Sequence, residues 1–503
     1  MDDPHSHETE TEFMQSYPLL AGEKIVSVTQ HPVLHYPEKP SSVKQLLRLT
    51  RSNHIDEIGN AGPALAAMAM PLENGQSREN SEYLHLYEAL FGRDSLRMAH
   101  DMIDIYPELA RATILTHAAL QGVSFNIARE EEEGRIFHEA RDPADPIAMR
   151  LTAELGWEWP YYGSVDATPE FIRTLATYTL SSPAHYGFLE EHYIDRNGEE
   201  QTINDALDGA LQWIARRREQ NPEGLIEFKS VLPRGIENQV WKDSWDAYHH
   251  ADGTLANHEQ GVASIEVQVA AYDALLDAAE LYDRLLDNET HANALRAQAL
   301  ELRNAIFEHF WTEEKGGYFV LGTDRADDGT LRQFKIRTSN MGHTLNSRLL
   351  DGDDPEIVRK RTAVVQHILS PEMLCHAGIR TLASDEIRFR PGAYHNGSVW
   401  LWDTHYIANG LRRHGYNVEA NTIDSHLIDV ANTTGLFPEY VRGEQDDITL
   451  NQHTIVLWDE TVNRSNTVEQ PPQQNQGWTV TAIRDSKHQA SKREGLLSHF
   501  TKL

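Results

Sequence analysis

Apolar residues recur at helical spacing along most of the chain from about residue 55 onward. The clearest stripe has members spaced alternately three and four residues apart: Val262, Ile265, Val269, Tyr272, Leu276 and Ala279. After a polar turn at 287–290, a narrower stripe follows: Leu295, Ala299, Leu302, Ile306 and Phe310. Further apolar residues widen the first stripe. We therefore expect an inner helix that is buried on more than one side, paired with an outer helix.

The same pattern predicts further helices and few strands. Pro107 and the run Thr168-Pro169-Glu170 are helix start signals. Period and composition predict helices over 94–105, 202–218, 355–369 and 398–413. Short strands at 317–321 and 379–382 are predicted to form small hairpins in the connections. These elements predict an all-α fold. Since 503 residues exceed the size of a typical single core, we expect either two domains or one closed repetitive architecture, and a closed ring of helical hairpins would be an example of the second.

The extent of this helical pattern divides the chain into three predicted segments: an N-terminal tail and lead-in (1–54), a helical catalytic domain (55–485) and a C-terminal tail (486–503). The amino terminus is acidic and polar, where a secretory signal would need a basic start and an apolar stretch. The longest apolar run, 61–72, contains two prolines and is shorter than the roughly 20 residues that span a bilayer. We expect a soluble, cytoplasmic protein without membrane segments.

Composition excludes several classes of partner. Lys and Arg number 45 against 77 Asp and Glu, a formal net charge of −32 that repels nucleic acids and anionic lipids. A saline environment is an equally good explanation of this charge. The single cysteine, Cys375, can form neither an internal disulfide nor a Cys-based metal site, and the 26 histidines include no HExxH signature. We expect a carbohydrate partner, no cofactor and no metal; nothing in the sequence determines the oligomeric state.

Unusual residues gather just before the helices that begin near Asp94, Thr168, Gly261 and Ser398. In a closed ring these helix starts would surround one cavity with N–H donors and positive dipole ends. Three tryptophans have the pattern of packing residues: Trp213, Trp311 and Trp458. The other seven lie in loop-like motifs beside Asp, Asn and His: Trp157, Trp159, Trp241, Trp245, Trp400, Trp402 and Trp478. Flat aromatic platforms next to carboxylates and amides suit a sugar-binding pocket.

Several short motifs carry a family resemblance. They are FGRDS at 91–95, YYGSVDATPEF at 161–171, NQVWKDSWDA at 238–247, GIRTLAS at 378–384, YHNGSVW at 394–400 and FPE at 437–439. Together they resemble the amylo-α-1,6-glucosidase family, the glucosidase portion of glycogen debranching enzymes, within the six-hairpin glycosidase superfamily. The resemblance spans roughly residues 55–480. It implies an (α/α)6 barrel and hydrolysis of an α-glucosidic bond with inversion.

The resemblance also implies a catalytic pair, with Asp243 as general acid and Glu439 as general base. Hydrolysis of a glycosidic bond requires such a pair, because one carboxyl must protonate a poor leaving group while the other activates water. A helix cap or a salt bridge is the alternative role for Asp243, and Asp246 competes with it for the acid role. Solvent exposure in a loop is the alternative for Glu439.

Arg93 and Asp94 resemble residues that hold the sugar in the cleavage subsite. Further substrate-binding candidates come from the same motifs and from the IEVQ run: Tyr162, Asp166, Trp241, Lys242, Glu266, Gln268, His395, Asn396, Trp400 and Trp478. Asn340 and His343 could line the same cavity. The alternative for Asp94 and Thr168 is helix capping, and any of the others could be an ordinary buried hydrogen-bonding residue.

Only 90 residues precede FGRDS, so most of the additional amino-terminal portion of long debranching enzymes is missing. We therefore expect a small α-glucoside or oligosaccharide as substrate. Three alternatives remain: α-1,6-debranching of a glycogen-derived polymer, a sugar epimerase or isomerase on a related helical barrel, and a catalytically inactive glycan-binding protein.

Overall fold

The computed structural model describes residues 89–444, 448, 454–459, 464–469 and 475–500. The predicted N-terminal tail and lead-in at 1–54 and the apolar run at 61–72 lie outside these residues, as does the side chain of Trp458. The described part consists mainly of helices joined by loops with short strands.

Twelve α-helices occur in the described residues. They are α1 Gly92–Met102, α2 Pro107–Ala119, α3 Pro146–Leu155, α4 Ala167–Ser181, α5 Ile203–Glu219, α6 Ile265–Arg284, α7 Glu289–Phe310, α8 Asn340–His343, α9 Pro355–Ile368, α10 Leu401–Arg413, α11 Asn417–Thr434 and α12 Gly477–Phe500. The helices predicted from apolar spacing are confirmed. Two of them begin about three residues later than predicted, α6 at Ile265 and α10 at Leu401, because short strands precede both.

The strands are two to six residues long and pair antiparallel. They are β1 Leu90–Phe91, β2 Glu139–Ala140, β3 His192–Ile194, β4 Glu200–Thr202, β5 Val262–Ser264, β6 Trp311–Thr312, β7 Tyr318–Phe319, β8 Gly322–Arg325, β9 Leu331–Gln333, β10 Leu374–Cys375, β11 Gly378–Ile379, β12 Val399–Trp400, β13 Tyr440–Val441, β14 Thr454–Asp459 and β15 Arg464–Glu469. The pairs are β1–β2, β3–β4, β6–β7, β10–β11, β12–β13 and β14–β15, and β5, β8 and β9 form one three-stranded sheet. The strands predicted at 317–321 and 379–382 correspond to β7 and β11.

Six helices contact one another in a cyclic order: α1, α4, α6, α8, α10, α12 and back to α1. Outer helices pack against them, with α2 on α1, α5 on α4, α7 on α6, α9 on α8 and α11 on α10. The predicted difference between inner and outer helices is confirmed in the α6–α7 hairpin. Even the polar Glu266, Gln268 and Asp273 of α6 are buried, whereas α7 buries only one stripe: Ala292, Leu295, Ala299, Leu302, Ile306 and Phe310.

Two predicted alternatives concerned helix caps. The N-cap of α1 is Phe91 and that of α4 is Asp166, so neither Asp94 nor Thr168 is an N-cap residue. Thr168 Oγ1 instead accepts a hydrogen bond of 2.9 Å from the backbone N–H of Ile136. This bond ties the start of α4 to the loop that leads into β2.

Helix α12 continues past residue 485, although a C-terminal tail was predicted to begin at residue 486. Asp485 Oδ2 lies 2.9 Å from Nε2 of the buried His405. Ser486 is also buried and donates a hydrogen bond of 3.1 Å to Asp424 Oδ1. Because these side chains pack against α10 and α11, the helix belongs to the same body beyond that boundary.

Candidate active site

Residues at or near the starts of the inner helices surround one cavity. Its lining residues are Arg93, Arg97, Asp166, Glu170, Trp241, Glu266, Val269, Ala270, His343, Trp402, Tyr406 and Trp478. Five of them lie at or near the amino ends of α1, α4, α6, α10 and α12, as the motif positions predicted. The aligned helix starts favour groups with negative charge or lone pairs.

Arg93 and Asp166 form a buried ion pair at one side of the cavity, the Arg93–Asp166 fork. The guanidinium of Arg93 donates to both carboxylate oxygens of Asp166, at 3.0 and 2.9 Å. Its other terminal nitrogen lies 3.8 Å from Asp243 Oδ2. Arg93 and Asp166 are buried, whereas the side chain of Asp243 is 34% exposed. Solvent or a ligand can therefore reach the Asp243 carboxyl on one side.

The neighbours of Asp243 are fixed on both sides. Lys242 Nζ donates to the carbonyl of Thr381 at 2.6 Å. The backbone N–H of Ser244 donates to His395 Nδ1 at 3.3 Å, and the Ser244 hydroxyl lies 2.9 Å from the same nitrogen. These contacts hold the backbone around Asp243 through its two neighbours in sequence.

Lys242 was predicted to bind substrate, but its ammonium group is buried and bonded to the backbone of Thr381. It is 1% exposed and is not among the cavity-lining residues. Burial lowers its pKa to about 7, although the nearby charges of Asp403 and Glu266 act in the opposite direction. Its hydrogen bond to Thr381 makes it an anchor for the Asp243 loop.

Glu439 lies just before β13. The next residue, Tyr440, pairs with Trp400 in β12–β13. Glu439 is 6% exposed, and Oε1 accepts a hydrogen bond of 2.9 Å from the hydroxyl of Tyr394. The solvent-exposed alternative for this residue therefore does not hold.

Burial raises the pKa of three acidic side chains at this site. The pKa of Glu439 rises to about 8, with the Tyr394 hydrogen bond lowering it and the charges of Asp243 and Asp94 raising it further. The pKa of Asp94 rises to about 7 and that of Asp243 to about 6, each against the lowering effect of Arg93. Carboxyls that interact in this way titrate as a group, and near neutral pH the group holds both protonated and ionised members.

Stacked indoles form the opposite wall. Trp402 and Trp478 stack with ring centroids 5.1 Å apart, and Trp241 meets Trp402 edge-on at the same distance. The indole N–H groups of all three lack a hydrogen-bond partner among the described residues. Buried donors without partners are costly, so a ligand with oxygen acceptors suits this wall. Trp400 packs behind it and donates to the carbonyl of Tyr394 at 3.0 Å.

Two other predicted substrate residues lie away from the cavity. The hydroxyl of Tyr162 donates to the carbonyl of Leu120 at 2.6 Å and accepts from Arg196 at 2.7 Å. The amide of Gln268 exchanges hydrogen bonds of 2.9 and 2.8 Å with the backbone of Ile226. Because these polar groups already pair with neighbouring groups of the protein, we correct both residues to structural roles.

The remaining candidates lie at or near the site. Glu266 lines the cavity and accepts hydrogen bonds from Tyr248, at 3.2 Å, and from Ser264. His395 contacts Ser244 through Nδ1, while its Nε2 has no partner among the described residues. Asn396 donates to the carbonyl of Asp246 at 2.9 Å, so it supports the Asp243 loop from its far side.

Two predicted site tryptophans have packing roles. Trp157 stacks on Tyr161 with centroids 4.0 Å apart, and its N–H donates to the carbonyl of Arg234. Trp159 donates to the hydroxyl of Thr152 at 3.1 Å. Their positions beside polar residues resembled those of the cavity tryptophans, but their indole N–H groups are already satisfied.

Five lining residues were not predicted from the sequence: Val269, Ala270 and the three larger side chains Arg97, Glu170 and Tyr406. Each of these three larger side chains lies four positions after a lining residue that starts an inner helix, namely Arg93, Asp166 and Trp402. Side chains at i and i+4 share one face of a helix, so this spacing was the available signal.

Among the described residues, Asp101, His405 and Asp485 have the spacing of a metal site. Burial acts to lower the pKa of His405, but hydrogen bonds and charges from Asp424 and Asp485 outweigh it and raise this pKa to about 10. Both imidazole nitrogens of His405 lie near carboxylates, Nδ1 at 3.3 Å from Asp424 Oδ1 and Nε2 at 2.9 Å from Asp485 Oδ2, so these side chains also form an ion-pair network.

Comparison with known proteins agrees with this geometry. Residues 164–479 match the model of the mannosylglycerate hydrolase MGH1-like glycoside hydrolase domain. No curated protein matches the chain. Among the described residues, no helix is long and apolar enough to cross a membrane.

Solved structures of similar fold include the GH63 mannosylglycerate hydrolase from Thermus thermophilus in complex with Tris, at a TM-score of 0.57 and 12% identity. The complex of that enzyme with Tris and D-glycerate aligns at 0.56 and 14%. Both alignments cover 88% of this chain and 98% of that chain. The comparisons support the six-hairpin glycosidase superfamily and do not identify the amylo-α-1,6-glucosidase family. Because the family model matches more than half of the sequence, the chain belongs to the MGH1-like glycoside hydrolase family and is a glycoside hydrolase acting on a carbohydrate.

Proposed function

We propose that the protein hydrolyses the α-glycosidic bond of a small glycoside with inversion at the anomeric carbon, using Asp243 as general acid and Glu439 as general base. The observation that carries this proposal is the position of the two carboxyls: Asp243 is partly exposed and lies 3.8 Å from Arg93, which lines the cavity, and the buried Glu439 accepts a hydrogen bond of 2.9 Å from Tyr394. An inverting pair is roughly 6.5–9.5 Å apart, which leaves room for a water molecule between Glu439 and the sugar.

We further propose that the substrate is a short α-glycoside, an α-glucoside or α-mannoside, with a small hydroxy acid such as glycerate as its aglycone. The family match to mannosylglycerate hydrolase supports this aglycone, as does the D-glycerate complex of a protein of similar fold.

The cyclic contacts of α1, α4, α6, α8, α10 and α12 support an (α/α)6 barrel as the architecture behind this site. We propose that this barrel occupies most of residues 55–485 together with the first part of α12. The cytoplasmic location remains a prediction.

In the proposed reaction the sugar lies against Trp402 and Trp478, whose free N–H groups donate to its hydroxyls. Asp243 gives its proton to the glycosidic oxygen as the bond from that oxygen to the anomeric carbon breaks. A water molecule attacks the opposite face of the same carbon and loses its proton to Glu439. The products are a free sugar of inverted anomeric configuration and the released alcohol, and one proton has moved from Asp243 to Glu439.

The order of the pKa values, about 8 for Glu439 and about 6 for Asp243, is the reverse of these roles. Because the carboxyls titrate as a group, a bound substrate can change which of them carries a proton. A glycosidic oxygen next to Asp243 accepts a hydrogen bond from its protonated form, and the Tyr394 hydroxyl stabilises the ionised form of Glu439. Both effects favour the proposed assignment in the substrate complex.

The dependence of the hydrolysis rate on the leaving group tests which carboxyl is the acid and which is the base. With Asp243→Asn, we expect hydrolysis of an α-glycosylglycerate to fall at least about 1,000-fold, while an α-glycosyl fluoride, which needs little acid assistance, loses much less. With Glu439→Gln, we expect both substrates to be affected alike. The opposite pattern would exchange the two roles, and near wild-type rates for either folded variant would refute the pair. Formation of an epimer or ketose without hydrolysis would replace the proposal with an isomerase.

A further inference from the structure

Gln239 lies four residues before Asp243 and is 2% exposed. All of its side-chain polar groups are paired: Nε2 donates to Glu130 Oε2, and Oε1 accepts from Arg135 at 2.8 Å. Its backbone carbonyl accepts from the N–H of Val165 at 2.8 Å. Gln239 therefore joins the segment that carries Asp243 to the segment that carries Asp166.

Glu130 is the acceptor at the centre of this arrangement. Its Oε1 accepts from the Ser230 hydroxyl at 2.6 Å and from two backbone N–H groups, those of Val231 at 2.7 Å and Leu232 at 3.1 Å. Its Oε2 accepts from Tyr161 at 3.2 Å in addition to Gln239. Glu130 has a φ of 51°, a left-handed conformation that a non-glycine residue rarely adopts. The surrounding contacts must therefore hold its backbone in place.

Arg135 connects Gln239 and Glu130 with the segment that carries Asp166. Besides Gln239, it donates to the carbonyl of Glu130 at 2.9 Å and to the carbonyl of Ser164 at 3.0 Å. The Ser164 hydroxyl in turn donates to Asp166 Oδ1 at 2.6 Å. The network thus ends on the carboxylate that holds Arg93.

Two series of contacts connect Gln239 with Asp243. One path leads along the backbone from Gln239 to Asp243. The other leads from Gln239 through Val165 to Asp166, and from there through Arg93 to within 3.8 Å of Asp243. A shift of Gln239 relative to Val165 would therefore displace Asp243 relative to the Arg93–Asp166 fork.

We propose that Gln239, held by Glu130 and Arg135, is a positioning residue that sets where the Asp243 carboxyl stands relative to Arg93 and the bound glycoside. This inference rests on the proposed function, since it assigns the reacting proton to Asp243. Misplacement of a catalytic group by about 1 Å can cost roughly 100-fold in rate. Such a loss of rate would affect the step in which Asp243 protonates the glycosidic oxygen.

An amide–carboxylate exchange tests the inference. In Glu130→Gln, two amide groups face each other, and in Gln239→Glu, two carboxylates do. The double variant E130Q/Q239E restores one donor opposite one acceptor and keeps acceptors for Ser230 and Arg135. We expect each single variant to lose about 100-fold in kcat on an α-glycosylglycerate, with KM changed less than about threefold and the glycosyl fluoride rate nearly unchanged. The double variant should recover most of the loss.

The matched control is Gln333→Leu, which removes a partly buried glutamine whose amide donates to two backbone carbonyls away from this network, those of His309 and Trp311. It should lower the melting temperature without changing the ratio of glycoside to fluoride rates. If the single variants do not fold, Ser230→Ala removes one donor to Glu130 and should give a smaller loss of the same selectivity.

Equal losses on both substrates, or no recovery in the double variant, would overturn the positioning role. Asp243→Asn is measured alongside. If it is inactive on the glycoside while the Gln239 variants behave like wild type, the positioning role alone fails. If Asp243→Asn retains activity, the proposed function fails instead.

Discussion

The hydroxyl of Tyr394 donates a hydrogen bond of 2.9 Å to Oε1 of Glu439. This contact joins the YHNGSVW and FPE motifs, which are about 40 residues apart in sequence. It opposes the effect of burial on the Glu439 pKa and so favours the ionised form that a general base needs.

Tyr394→Phe should therefore raise the pKa of Glu439 further. A base works only when ionised, so activity should rise with pH through this pKa, and the acidic limb of the pH–rate profile should move to higher pH. At pH 6.5 we expect a loss of about tenfold, the equivalent of one pKa unit, that shrinks as the pH increases. Tyr178→Phe, at a tyrosine outside the cavity, is the control and should leave the profile unchanged. An unchanged acidic limb in Tyr394→Phe would count against Glu439 as base.

Glu439 should also destabilise the fold at high pH. Its folded-state pKa of about 8 lies above the ordinary value of 4.5, so the folded protein binds more protons than the unfolded chain between these two values. The stability contribution is fully present below pH 4.5 and is lost as the pH rises through 8. Glu439→Gln removes this loss. We expect its melting temperature to match that of wild type near pH 4.5 and to exceed it by roughly 5 °C at pH 8.5.

The control for that measurement is Glu154→Gln at an exposed position, which should give no such pH-dependent difference. A Glu439→Gln variant that is no more stable than wild type at pH 8.5 would show that burial does not raise the Glu439 pKa.

Asp166→Asn should weaken both stability and activity. Asp166 accepts two hydrogen bonds from the buried Arg93, and removing its charge leaves the guanidinium without its closest counter-charge. Breaking a buried pair in this way costs about 3–5 kcal/mol, whereas the exposed pair of Lys492 with Asp104 should contribute about 1 kcal/mol or less. Urea unfolding of Asp166→Asn and of the control Asp104→Asn measures both. A similar effect for the two would argue against the fork as a structural element of the site.

Trp478→Phe tests the sugar-binding wall. The change keeps an aromatic face but removes an indole N–H that has no partner among the described residues. If that group donates to a sugar hydroxyl, KM should rise about tenfold with little change in stability. Trp159→Phe removes an N–H that is bonded to Thr152, and it should instead lower stability and leave KM unchanged. A KM effect from Trp159→Phe alone would place the sugar elsewhere.

Sequence predicted the helices well because their signal is local. The wide stripe of α6 and the narrow stripe of α7 follow from 3.6-residue periodicity, and the structure has the same difference in burial. The convergence of helix starts on one cavity also followed from the motif positions.

The direction of individual side chains was less predictable. Tyr162 and Gln268 lie in or near motifs that line the cavity, yet their polar groups pair with Leu120, Arg196 and Ile226, which are 34 to 42 residues away in sequence. Lys242 stands next to Asp243 and points to Thr381. These outcomes depend on long-range packing, which residue type and spacing do not encode.

The central claim is that Asp243 and Glu439 hydrolyse an α-glycoside with inversion, and the anomer released first tests it most directly. Proton NMR during the first minutes of hydrolysis of α-mannosylglycerate or α-glucosylglycerate should show the β-anomer of the free sugar before mutarotation produces the α-anomer. Initial release of the α-anomer would indicate retention, and it would contradict the assignment of these two carboxyls as an inverting acid–base pair.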